Sequence, residues 1–110
     1  MEHFVTLKDA ISLAGPGHMS FSLLDETNGC VNGCCCGVSR YAKTEYNVPG
    51  CHDDQEGFMV LSGSGYAKVG EEERFVSTGT AFIVPAGVEH SLRTIDPACP
   101  LEVFWFHAAC

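Results

Sequence analysis

From Phe58 onward the chain reads as short apolar runs cut at close intervals by glycine and proline. Phe58–Leu61 is apolar, and Gly63-Ser64-Gly65 turns it back into Tyr66–Val69. Gly70-Glu71-Glu72 turns again into Arg74–Ser77, and Thr78-Gly79 leads into Ala81–Val84. Pro85-Ala86-Gly87 bends the chain before His90–Thr94, and Asp96-Pro97-Ala98-Cys99-Pro100 is a loop before the apolar closing run Leu101–His107. Runs this short, bounded by turn residues, read as strands. Upstream, Met19, Phe21 and Leu23 alternate with Ser20 and Ser22, as a half-buried strand does. An extended stretch follows from about Val31 to Tyr46, bent near Gly33 or Gly37, and stops at Pro49-Gly50. Leu7, Ala10, Ile11 and Ala14 fall at helical spacing behind Thr6, which predicts one short helix ended by Gly15-Pro16-Gly17. Roughly seven or eight short strands with almost no helix predict an all-β sandwich or barrel.

At 110 residues, with no linker, repeat or low-complexity tract, the chain is expected to form a single domain over 1–110. Its net charge is −8, from 14 acidic residues against 6 Lys and Arg. That balance excludes nucleic acid and anionic membrane as expected partners, because phosphate binding needs a concentrated cationic face. No apolar run reaches membrane-spanning length, and residues 1–18 lack a basic stretch followed by an apolar one, so a cytoplasmic location is expected. Seven cysteines, an odd number, fit a reduced protein better than a disulfide scaffold. The contiguous Cys34-Cys35-Cys36 lacks the spacing of zinc ligand pairs. On a strand Cys34 and Cys36 would share one face and Cys35 the other, as small apolar filler.

The chemistry lies between Gly50 and His90. His52 and Glu56 open this stretch and His90 closes it, each beside a glycine-bounded strand-like run. Two imidazoles and a carboxylate that meet when such strands fold back form a facial set of metal ligands with open positions.

The same residues resemble the two motifs of the cupin family. Gly79, five residues, Pro85, one residue, Gly87, two residues and His90 reproduce its second motif. His52, three residues, Glu56, six residues and Gly63 reproduce the latter half of its first. The resemblance spans about residues 31–107 and implies a jelly-roll β barrel, here with a short N-terminal helix. It also implies that His52, Glu56 and His90 hold a divalent metal such as Fe, Mn, Ni, Zn or Co. Two positions depart from it: Gly50 stands where the family has another histidine, and Thr94 where an asparagine is frequent. A register with His52 and Asp54 as the first motif's paired ligand positions breaks the spacing to Gly63 and is rejected.

The remaining polar residues have plainer readings. His107 is assigned a structural place on the face of Val103 and Trp105. His3 and His18 are read as surface residues, Asp53, Asp54 and Gln55 as a solvated turn, and Glu71–Glu73 as an exposed hairpin tip. One of Asp53, Asp54 and Gln55 can also orient a ligating histidine from behind. Cys51 reaches the site only if the backbone there leaves extended geometry. Tyr41, Tyr46, Phe58 and Arg93 are substrate contacts if their faces point inward. The leading functional reading is a metal-binding cupin that holds a small organic ligand, with oxygenase, isomerase or lyase catalysis left open. The alternatives are a non-catalytic small-molecule binder or sensor and a metal-free structural cupin. Homodimerisation is expected, with edge strands covered by the amino-terminal segment together with the apolar Phe104–Phe106 run.

Overall fold

Two antiparallel sheets face each other in the computed structural model, which describes residues 1–14 and 19–109, the side chain of Ala14 excepted. The expected helix stop at Gly15-Pro16-Gly17, the surface histidine His18 and Cys110 lie outside the described residues. Among those residues, helix α1 (Leu7–Ala14) precedes eight strands. These are β1 (Ser20–Leu24), β2 (Cys35–Tyr41), β3 (Glu56–Ser62), β4 (Ser64–Val69), β5 (Glu72–Ser77), β6 (Ala81–Val84), β7 (His90–Thr94) and β8 (Leu101–His107). The larger sheet has the order β1-β2-β8-β3-β6 and the smaller β5-β4-β7. The expected jelly roll is therefore present as a pair of sheets.

Local signals start and stop these elements. The Thr6 hydroxyl accepts from the Asp9 N–H at 3.2 Å, and its carbonyl accepts from the Ala10 N–H at 3.1 Å, so Thr6 caps α1. Asn32 and Gly33 both take positive φ, which bends the long extended stretch and delays β2 to Cys35. β1 is shorter and less buried than its alternation predicts, with Phe21 buried but Met19 exposed and Leu23 half-exposed. β1 is an edge strand, and its register with β2 shifts between Ser22 and Leu24, so the alternation is broken where Leu23 lies. The filler reading of the cysteines also fails in part. Cys34 is exposed outside any strand, while Cys35 and Cys36 are half-buried on β2.

The core follows strand parity. Phe58 and Val60 of β3, Val84 of β6, and Leu101 and Val103 of β8 point inward from the larger sheet. Ala67 of β4, Val76 of β5 and Leu92 of β7 meet them from the smaller one. Because side chains alternate across a strand, every second neighbour of these residues also faces inward. Glu56, His90, Thr94, Trp105 and His107 are such neighbours. The outer face carries the opposite set: Phe21 is buried beneath Arg40 and beside its buried partner Val38, whereas Met59, Ile83 and Phe106 are exposed.

At Gly65, β4 runs close against the backbone of β7. A Cβ there would lie 2.0 Å from the Arg93 carbonyl oxygen, a backbone atom that cannot yield without breaking the ladder. Gly79, by contrast, has φ +91° with open space around it. Gly65→Ala should therefore cost about 3 kcal/mol or more, beyond ordinary overpacking. Gly79→Ala should cost only the local backbone strain, about 1 kcal/mol. Urea unfolding midpoints of the two variants check the ordering, and a Gly79 variant as destabilised as the Gly65 one would contradict it.

Candidate metal centre

Three inner-face positions at one end of the sandwich converge. Glu56 opens β3 on the parity of Phe58 and Val60, and His90 opens β7 on the parity of Leu92. His52 lies in the segment before β3, its carbonyl accepting a 2.7 Å hydrogen bond from the Gly87 N–H. Gly87 has φ +77°, so the turn after β6 delivers that N–H through a conformation open to glycine. His90 is pinned by its backbone, which exchanges two 2.9 Å hydrogen bonds with Gly50.

The side chains then meet at ligand distances. Glu56 Oε1 lies 3.3 Å from His52 Nε2 and 3.2 Å from His90 Nε2, and one ligand atom from each residue falls within 4.8 Å of the others. Ligand bonds of about 2.1 Å place neighbouring donor atoms about 3.0 Å apart in an octahedron and about 3.4 Å apart in a tetrahedron. The observed separations fall between these values. Glu56 is 6% exposed, yet its Oε1 has no hydrogen-bond donor. A buried carboxylate oxygen without a donor is costly, whereas a cation between it and the two imidazole Nε2 atoms would give it a partner. The donor set therefore fits a divalent metal.

Gly50 forms the open side. A Cβ at this position would stand 3.1 Å from His90 Cε1, 3.4 Å from His90 Nε2 and 3.8 Å from His52 Nε2. A side chain at position 50 would thus point at the centre, and glycine leaves that space free. A groove of about 480 Å³ reaches the site from the His52 side and is lined by Gly33, Cys35, Cys51, His52, Asp53, Asp54 and His107. Cys51 is exposed and stands outside the three-residue group.

His107 lies nearer the chemistry than its structural assignment allowed. Its Nε2 is 3.5 Å from Glu56 Oε2, and its Nδ1 lies 3.0 and 3.1 Å from the two oxygens of Asp54. Asp54 is half-buried rather than solvated, and the His107 hydrogen bond holds its carboxyl below the usual range. Thr94 has a purely structural place. It is fully buried, and its hydroxyl is within 3.1 Å of the Cys99 carbonyl and 3.2 Å of the Asp96 carbonyl, tying down the loop before β8. Tyr46 and Arg93 stack with one another at 5.3 Å, and Phe58 is core, stacked on Phe82 at 4.8 Å.

The cupin domain model matches residues 37–107, which is β2 through β8. The chain belongs to the cupin family. No curated protein sequence matches it. Among solved structures, TT1209 from Thermus thermophilus superposes on this cupin with a TM-score of 0.73 at 20% identity, over 97% of each chain. Salicylate 1,2-dioxygenase from Pseudoaminobacter salicylatoxidans, as adducts with gentisate, gives 0.70 at 21% identity over 92% of this chain and 30% of its own. FeII HppE gives 0.64 at 16% identity over 81% of this chain and 48% of its own. At these identities the likeness establishes the fold, and this cupin spans less than half the length of either of the last two proteins.

Tyr41 is the inward-facing tyrosine of β2, packed against the core. Burial, and after it the Glu56 charge, push its phenol up to about 12. Tyr46 is also raised to about 12, by burial and by its hydrogen bond to Glu73. A phenol raised on folding contributes stability below its ordinary value near 10, and that contribution is lost as pH rises through 12. Ultraviolet titration of the folded cupin should show two phenols ionising near pH 12, and Tyr41→Phe should remove about half of that late amplitude. A late amplitude unchanged in the variant would show that Tyr41 is not the buried phenol.

Proposed function

We propose that this cupin, a single domain over residues 1–110, holds one divalent metal ion on His52, Glu56 and His90. It binds a small organic molecule at the positions these three leave open. The observation that carries the reading is Glu56 Oε1, a buried carboxylate oxygen with two imidazole nitrogens at 3.2 and 3.3 Å and no donor of its own. Fe(II), Mn(II), Ni(II), Zn(II) and Co(II) all accept such a set. A bound metal supplies Lewis acidity and exchangeable positions for a ligand oxygen. The protein supplies the rest. His90 is fixed from below by its Gly50 bridge, His52 stands at the mouth with its side chain 44% exposed, and Gly50 keeps one side clear. Asp53 and Asp54 line the approach, so the ligand is read as neutral or weakly acidic, turned into a donor at the centre itself. The neighbours described with FeII and with gentisate support metal-dependent chemistry on a small organic molecule. Six unbridged cysteines among the described residues support a reducing, cytoplasmic setting.

A metal that binds only the folded chain stabilises it by mass action, by about 2.7 kcal/mol at one hundred times the dissociation constant. For a domain of this size the melting temperature should rise by roughly 10 °C. Melts with and without Mn(II), Fe(II), Ni(II) or Zn(II) should show this shift for the natural chain and little of it for His90→Ala. Equal shifts in both would place the metal elsewhere, with the cysteines the first place to look.

The same reading includes a homodimer. Met59, Ile83 and Phe106 are exposed side by side on the outer face of β3, β6 and β8, and the Phe106 ring lies over Gly57. A second copy would cover this apolar patch. Light scattering should give about twice the 11.8 kDa chain mass, and Phe106→Glu should return it to one chain. A monomeric natural chain at micromolar concentration would refute the dimer.

A further inference from the structure

We infer that His107, anchored by Asp54, is the positioning residue that turns the Glu56 carboxylate so that one oxygen, Oε1, faces the metal. This rests on the metal-centre reading above and adds two residues to it. The carboxylate of Glu56 is divided between two environments. Oε1 faces His52 Nε2 and His90 Nε2 and has no donor. Oε2 faces His107 Nε2 at 3.5 Å, longer than a tight hydrogen bond and attractive when the ring donates from both nitrogens, one to each carboxylate. Behind that ring, Nδ1 is held by both oxygens of Asp54 at 3.0 and 3.1 Å. The chain of contacts thus runs Asp54, His107, Glu56, metal.

The fold builds this chain twice over. In the β3–β8 ladder Glu56 lies directly opposite His107, on the same face. Asp54 is two residues before Glu56, and the Ala108 N–H donates to the Gln55 carbonyl at 3.1 Å, so the two chains stay zipped past the end of β3. The ring itself has little freedom, standing edge-on to His52 at 4.9 Å and to Trp105 at 5.6 Å. Of the described side chains, His107 is the one whose ring nitrogen faces Oε2. An unsteered carboxylate can swing to offer both oxygens and take up a position that a ligand needs. Residues that orient metal ligands from behind are commonly worth 10–100-fold in affinity.

The test uses the whole chain, with Mn(II) binding by calorimetry and Cu(II) electron paramagnetic resonance as the spectroscopic readout. His107→Ala should weaken Mn(II) binding about 10–100-fold, and Asp54→Asn should weaken it less, in the same direction. His107→Gln, whose amide can still donate to Oε2, should recover most of the loss. The Cu(II) spectrum should show two coupled imidazole nitrogens in the natural chain and in His107→Ala alike. Unchanged Mn(II) affinity in His107→Ala, or no recovery in His107→Gln with both variants folded by circular dichroism, overturns the positioning role. Loss of a coupled nitrogen in His107→Ala overturns it too, by making His107 a ligand. Absence of binding in the natural chain, with His90→Ala no different, overturns the metal centre and this inference together.

Discussion

A buried carboxylate at one end of an apolar sandwich governs the rest of this structure. Glu56 continues the series Phe58 and Val60 along the inner face of β3, so strand alternation forces it inside. Removing an ionised group from water costs several kcal/mol unless partners replace the hydration. The fold answers by bringing three imidazoles around it, from before β3, from β7 and from the end of β8. Two of them share Oε1 and one takes Oε2. That division leaves Oε1 between two imidazole nitrogens and Oε2 beside the ring of His107.

The two departures from the family motifs have separate physical causes. Gly50 is a gap in the site, because its missing Cβ points at the imidazoles of His90 and His52. Its backbone still does what the position requires, pairing with His90 on both sides of the bridge. Thr94 is no gap at all. Its hydroxyl meets the carbonyls of Asp96 and Cys99, so the position has become a latch for the loop that feeds β8. Since β8 carries His107, that latch supports the site from the other end of the strand.

Glycine and proline made most of the fold legible in the sequence. From Ala81 onward the strands begin and end where turn residues predict, and β3, β4 and β5 differ only by extending a residue or two earlier or later. Glu56, His52 and His90 were legible for a different reason: fixed spacings tie them to the turns that position them. His107 and Asp54 carry no such spacing. Their meeting depends on the pairing of β3 with β8, strands separated by four others in the chain, and register between distant strands is set by packing that no local pattern records. The cysteines misled for a related reason. Their alternation assumed a strand through Cys34, but the positive φ at Asn32 and Gly33 starts β2 one residue later.

The β3–β8 ladder also explains how one pair of strands serves two faces without conflict. From Glu56 to Val60 the pairing with His107 to Val103 is regular, so one parity lines the core and the site while the other sets Met59, Phe104 and Phe106 outside. A slip of one residue here would exchange the faces, exposing Glu56 and burying nothing that could replace it. The irregularity the ladder does contain falls between Val60 and Ser62, where Gly63 comes within 2.5 Å of the Pro100 carbonyl by its would-be Cβ. The strain of turning β3 into β4 is thus taken up at the end remote from the carboxylate. The regular end is the one that sets Glu56 opposite His107, and the bulge leaves it undisturbed.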